Sequence, residues 1–297
     1  SSSSQEHVQH PYQIRIATPA DIDQLVSIET KCWDDHICQS RNMISQRIVS
    51  NGANIWVIVY SDVVAGVLYT QKIVDRDVLL NPSVSYDTQD SLSDNVNGKV
   101  LQLLSIAVLP EYQTYQLGHI LRNHVLLRCK QSSSPILEVV AMTRCSEYGN
   151  YLLDGTNVCS VSTPSQLYEN YVYSNQKQVK DGRGILSDPT LQFHINGGAN
   201  IIQIVENYRP VDHDNYGNSV LICYKLQNLM LNEPIGRKKS PVPSVVRETS
   251  PVIDSATTAT FRDRLITLVK GFISEPLSDE AAERGTERLD SEFILST

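Results

Sequence analysis

Val100-Leu-Gln-Leu-Leu-Ser-Ile-Ala-Val108 is a nearly unbroken apolar run, the pattern of a strand buried on both faces rather than one. Leu109-Pro110-Glu-Tyr-Gln113-Thr-Tyr-Gln116-Leu117-Gly118 follows, and the residues beyond it read as a helix to about Arg128. A loop between a buried strand and a helix presents several unpaired backbone N–H groups at the positive end of the helix, a ready site for a pyrophosphate.

Working outward, the flanking segments alternate between strand and helix. Tyr12-Gln-Ile-Arg-Ile16 alternates like a strand. Thr18-Pro19-Ala20-Asp21 is a capping-box pattern, which predicts a helix from Pro19 or Ala20 to about Trp33. A second helix is expected over 40–50. Asn54–Tyr60 and Val64–Ile73 are two strands joined at Ser61-Asp62, a hairpin, and the polar stretch 79–98 reads as a long loop. On the other side, 135–143 is a strand and 146–187 a loop region. Asp188-Pro189 is an N-cap with proline in the first turn, opening a short helix that Gly197-Gly198 ends. Ala199–Val205 and 219–226 close the series as strands. The class is α/β, a mixed sheet with helices on both faces.

The apolar periodicity stops near residue 226. Residues 227–260 hold four of the 13 prolines and the basic run Arg237-Lys238-Lys239, the composition of a flexible linker. Residues 261–297 have one apolar stretch, Phe261–Ile273, before an acidic end. This is a short helix with a tail, or the start of a carrier domain, for which Leu289-Asp290-Ser291 is a faint signature.

Composition narrows the function. Lys+Arg 25 against Asp+Glu 33 leaves a net charge of −8, which offers no electrostatic footprint for nucleic acid or an anionic membrane. No apolar run has the length of a membrane span. Ser1-Ser-Ser-Ser-Gln5 lacks the basic start and apolar run of a signal peptide. The six cysteines (Cys32, Cys38, Cys129, Cys145, Cys159, Cys223) are scattered and read as reduced thiols rather than a disulfide frame or a zinc site. A cytoplasmic protein without metal is the expectation.

The order of elements, with strand–Pro–loop–Gly–helix at 100–128, resembles the GNAT acyltransferase superfamily and implies its splayed central sheet. The superfamily's loop reads Gln/Arg-x-x-Gly-x-Gly/Ala, and here it is Gln113-Thr-Tyr-Gln116-Leu-Gly118. Gln116 replaces the first glycine, so its side chain is expected to crowd the phosphates and weaken binding of free coenzyme A. A tighter resemblance is to the GNAT-like domains of polyketide synthase loading modules, the curacin type. It rests on Cys32-Trp33, Gly66–Ile73, Leu101–Pro110, Val140-Ala-Met-Thr143-Arg-Cys145, Asp188–His194, Asn207-Tyr-Arg209-Pro-x-Asp212 and Val220–Tyr224, collinear over about 12–226.

That resemblance implies decarboxylation of a malonyl or methylmalonyl thioester on an acyl carrier protein, with or without transfer of the acyl group to the carrier thiol, and with neighbouring megasynthase domains as partners. No cofactor is held permanently; the phosphopantetheine arm, or coenzyme A, carries the substrate. By position, Thr143 and His194 are implied as catalytic, Trp33 as the gate of the acyl tunnel and Arg209 as a substrate contact. Ile106, Val108, Gln113, Leu117 and Gly118 are implied as the cofactor-binding set.

The chemistry suits these residue types. Decarboxylation leaves an enolate whose oxygen needs hydrogen-bond donors and whose carbon needs a proton. A hydroxyl and an imidazole of ordinary pKa can supply both. Each residue also has an ordinary structural reading. Thr143 would bond a neighbouring backbone, His194 would cap the helix end near Gly197, Trp33 would be core, and Arg209 would pair with Asp212 or Glu206. Two further functions are open, a coenzyme-A-dependent N-acetyltransferase and a non-catalytic domain of a megasynthase.

Overall fold

The computed structural model of the chain describes residues 11–132, 136–153, 163–181 and 188–228. The expected tail at 261–297, and the expected linker from residue 229 on, lie outside the described residues. The elements run β1 (Tyr12–Ile16), α1 (Ile22–Cys32), α2 (Arg41–Asn51), β2 (Ile55–Tyr60), β3 (Val63–Ile73), β4 (Val100–Val108), α3 (Leu117–Gln131), β5 (Glu138–Thr143), α4 (Tyr148–Leu153), α5 (Pro164–Asp181), α6 (Pro189–Asn196), β6 (Ala199–Val205) and β7 (Ser219–Lys225). The strands form a seven-stranded sheet in the order β1-β2-β3-β4-β5-β7-β6.

Local sequence accounts for most of these boundaries. Thr18 and Asp21 close a capping box before α1. Ser61 and Asp62 both take positive φ at the β2–β3 turn, the backbone twist that a two-residue hairpin favours. Two 3-10 turns, Arg76–Leu80 and Gln89–Leu92, punctuate the loop expected at 79–98. One expectation fails. The stretch 146–187 is not a plain loop, because it contains α4 and α5. Leu167, Tyr168, Tyr171 and Val172 of α5 are buried, so a stripe in which tyrosines make up half serves as the helix's apolar face.

Alternation along the strands splits the core into layers. Leu68, Leu101, Leu103 and Val108 pack with Leu117, Leu121 and Val125 of α3. Val57, Val67, Tyr69, Leu104 and Ala107 pack on the other side with Leu25, Ile28, Ile44 and Ile48 of α1 and α2.

The sheet opens at its centre. β4 and β5 pair in parallel only from Val100↔Glu138 to Leu103↔Ala141. Beyond that, β4 continues to Val108 on β3 alone and β5 continues to Thr143 on β7 alone. The divergence begins where β4 bulges: Thr70 of β3 faces Leu103 but Tyr69 faces Ser105, leaving Leu104 as an extra residue. A bulge of this kind bends its strand and adds twist, and here it carries β4 away from β5.

Close contact between β3 and β4 fixes the outer side of the opening. A Cβ at Gly66 would sit 2.9 Å from the Ala107 carbonyl oxygen and 2.9 Å from Val108 Cγ2. Gly66→Ala should therefore destabilise the fold by about 1–3 kcal/mol, the usual cost of overpacking. Gly52→Ala, where nothing lies within 4 Å, should leave the melting temperature nearly unchanged. Thermal unfolding of the two variants checks this.

Candidate active site

The opening between β4 and β5 is the floor of a cleft of about 670 Å³, part of it continuous with solvent. Leu103–Ile106 line one side and Ala141–Arg144 the other. Glu29, Trp33 and Ile37 come from α1 and the segment after it, Phe193 and His194 from α6, and Tyr86 and Arg209 from loops. The structure thus brings Thr143, His194, Trp33 and Arg209 into one cleft.

Buried carboxylates set the positions of the two loops that matter. Asp188 is fully buried. One of its oxygens accepts from Thr190 N and Leu191 N, both at 3.0 Å, and the other from Glu147 N at 2.9 Å and Tyr171 Oη at 3.1 Å. The cap of α6 is thereby tied to α4 and α5, and His194 is held in place. Asp212, also fully buried, takes a forked bond from Arg144, 2.8 and 3.0 Å. Asn215 accepts from Cys145 N at 3.0 Å. The Arg209 loop is therefore fastened to the residues that follow Thr143.

His194 is buried, and its Nδ1 lies 2.6 Å from Tyr224 Oη. Tyr224 also bonds Arg122, which has only donors, so the tyrosine proton points to His194 and the imidazole proton resides on Nε2. Burial, then the charge of Arg122, drive the His194 pKa down to about 3. This corrects the expectation of a histidine titrating near cellular pH. The ring is neutral and presents one fixed N–H. It does not cap its helix either: Gly197 N bonds the His194 carbonyl and Gly198 N the Ile195 carbonyl. Arg122 packs where a Cβ at Gly197 would stand and also bonds the Phe193 carbonyl.

Thr143 closes β5 with its hydroxyl donating to the Arg144 carbonyl at 3.3 Å. That is a long bond for a hydroxyl, easily exchanged for a better acceptor. Arg209 pairs with neither Asp212 nor Glu206. Its guanidinium lies 3.9 Å over the ring of Tyr86, its Nε is buried without a partner, and no carboxylate pairs with it among the described residues. Trp33 ends α1 and lines the cleft, its Nε1 buried without a partner.

The five residues expected to hold the carrier arm or coenzyme A divide by depth. Ile106 lines the cleft. Leu117 is core, so only its backbone is available. Gln113 Nε2 donates to the Val108 carbonyl at 3.0 Å, and Cys32 Sγ donates to the same oxygen at 3.3 Å. Gly118 lies against Val108 and Phe193, 3.6 and 3.7 Å from a notional Cβ. Gln116 has φ 59° and ψ 25°, a left-handed conformation that glycine adopts freely and other residues at a cost. Its side chain is exposed.

Glu29, Tyr86, Arg122 and Tyr224 escaped the sequence reading. Only Glu29 left a signal, an acid in register with Leu25 and Cys32 on the apolar stripe of a helix. Among the described residues no cluster could hold a metal ion, and no helix is long and apolar enough to cross a membrane.

Comparison with solved structures places this fold. The chain is similar to the GphF GNAT-like decarboxylase, solved in complex with isobutyryl-CoA. Identity is 29% over 72% of this chain and 99% of that one, with a TM-score of 0.62. It is equally similar to the loading GNATL domain of CurA from Lyngbya majuscula, at 29% identity over 73% and 98% of the two chains and a TM-score of 0.61. The chain has the fold of a GNAT-like loading domain. A malonyl-CoA decarboxylase from Rhodopseudomonas palustris shares this GNAT-like fold at 13% identity, covering 75% of this chain and 58% of that one with a TM-score of 0.52. The sequence matches no protein-family model and no curated protein.

The left-handed backbone at Gln116 gives a test of the GNAT-like loop. Gln116→Gly removes the strain and the side chain without altering the turn, so it should strengthen binding of free acetyl-coenzyme A, measured by calorimetry. Tight binding by the unaltered chain would contradict the expected penalty.

Proposed function

We propose that this GNAT-like domain decarboxylates a malonyl-type thioester carried on the phosphopantetheine arm of an acyl carrier protein, leaving an acyl starter for polyketide synthesis. One observation carries the reading. A buried guanidinium without a carboxylate partner among the described residues, Arg209, shares a cleft with two neutral hydrogen-bond donors, Thr143 and His194. A malonyl thioester has the complementary pair of groups, an anionic carboxylate at one end and a thioester oxygen that becomes anionic.

The chemistry follows from that match. Arg209 grips the carboxylate with its fork. The arm lies in the opening between β4 and β5, where Ser105 and Ile106 are free of a strand neighbour on the β5 side. As the carbon–carbon bond breaks, charge moves to the thioester oxygen, where the Thr143 hydroxyl and His194 Nε2–H meet it. Fixed donors need no reorganisation at that moment. A neutral histidine suits this task, because a hydrogen bond to the developing oxyanion is wanted and not a standing charge that would hold the starting carboxylate in the wrong place. The likeness to a GNAT-like decarboxylase and to a loading domain supports the same reading. An N-acetyltransferase would need a base for the incoming amine, and His194, at about 3, is a poor one.

Malonyl-loaded carrier protein, followed by intact mass, tests the reading: the acetyl form should accumulate. Thr143→Val removes the hydroxyl at nearly constant volume and should slow turnover by ~100–1000-fold, the usual cost of losing one oxyanion donor. His194→Ala should cost as much or more, and Arg209→Lys should raise the substrate concentration required. Wild-type rates in both Thr143→Val and His194→Ala, with the fold intact, would overturn the assignment.

A further inference from the structure

Loss of carbon dioxide leaves a carbanion that must gain a proton, and the neutral ring of His194 is far too weak an acid to give one. Among the described residues, those lining the cleft include a single carboxyl group, Glu29. It is fully buried on α1, with Oε2 accepting from Gln39 N at a long 3.4 Å and Oε1 without a partner. Trp33 Nε1 and Arg209 Nε are likewise buried without partners and belong to residues lining the same cleft. Unpaired polar atoms are rare in protein interiors; three in one cleft point to a polar group on the substrate as their partner.

We propose that Glu29 is the acid that protonates the α-carbon after carbon dioxide leaves. This rests on the decarboxylase reading above. The carbon–carbon bond to the carboxylate breaks, and its electron pair passes into the enolate held by Thr143 and His194. The O–H bond of Glu29 then breaks as its proton forms the new C–H bond. Glu29 is left as a carboxylate in the field of Arg209, which has just lost the substrate's negative charge, and solvent reprotonates it before the next turnover.

The surroundings favour this cycle. Arg47 from α2 and Arg209 from the β6–β7 loop act on Glu29, and the charge of Glu29 in turn raises its neighbours Tyr69, Tyr86, Cys32 and Cys38. Arg47 is neutralised by Asp90 through bonds of 2.9 and 3.0 Å. Burial is the largest influence and raises Glu29 to about 7, against the opposing pull of Gln39 N, Arg47 and Arg209. With the substrate carboxylate on Arg209, that pull weakens and the proton stays. Once carbon dioxide departs, the pull returns and the proton is released.

The test is single-turnover decarboxylation of malonyl-pantetheine by the full chain on both sides of pH 7, with ¹³CO₂ supplied. The rate of the unaltered chain should fall as pH rises past the acid's pKa, about 7 without substrate and higher once the substrate carboxylate offsets Arg209, because the ionised acid has no proton to give. Glu29→Gln should be slower by roughly 100-fold or more, the usual contribution of a general acid, and should lose that pH limb. It should also incorporate ¹³C into unreacted substrate, because an enolate that waits for a proton recaptures carbon dioxide; a merely structural role would not produce that exchange. Glu29→Asp, which keeps an acid, should retain the pH limb at a lower rate, and it serves if the glutamine variant does not fold. Glu29→Gln turning over at the wild-type rate, or slowed with its pH limb kept and no exchange, overturns the role of Glu29 alone. No turnover by the unaltered chain overturns the decarboxylase reading with it.

Discussion

Everything in this site depends on the extra residue at Leu104. It breaks the β3–β4 register between Leu103 and Ser105, at the point where β4 and β5 part. Two neighbouring strands cannot separate cheaply, since each gives up backbone hydrogen bonds that must go elsewhere. The opening persists because each strand is held on its outer side, β4 by β3 as far as Val108 and β5 by β7 as far as Thr143. The backbone groups left facing each other across the gap are what an amide-bearing arm could satisfy, and Thr143 stands at its rim.

Around that opening the protein sorts its buried charges into paired and unpaired. Asp188 and Asp212 are saturated with donors and act as fasteners for α6 and the Arg209 loop. Arg122 is spent on Asn123, the Phe193 carbonyl and Tyr224, where it keeps His194 neutral. Arg209 and Glu29 lack such partners. A buried charge or acid without a partner is costly to the fold, and among the described residues this cleft keeps one of each.

The fold was largely legible in the sequence because its deciding strand is apolar on both faces and its helix starts carry plain signals, Thr18 to Asp21 and Asp188-Pro189. What stayed hidden had physical reasons. The bulge at Leu104 depends on the register of a partner strand, which no local pattern encodes. Helix α5 was concealed because tyrosines make much of its apolar stripe, although Thr163 accepts from Gln166 N as a cap would. The four residues carried over by resemblance, Thr143, His194, Trp33 and Arg209, do meet in one cleft. Their states could not be read in advance. The neutrality of His194 comes from its burial and then from the charge of Arg122, distant in sequence, and the isolation of Arg209 follows from Arg144 having claimed Asp212. Glu29, though missed, alone left a local signal, as an acid on a helix face that otherwise seeks the core.

The central claim is that the β4–β5 opening holds the thioester with its oxygen on Thr143 and His194. A crystal structure with the malonyl amide of pantetheine, which replaces the labile thioester, tests it most directly. The account predicts the arm between Ser105–Ile106 and Met142–Thr143, the amide oxygen within hydrogen-bond distance of Thr143 Oγ1 and His194 Nε2, and the carboxylate on Arg209. An arm bound outside the opening, or an oxygen turned away from both donors, would contradict it.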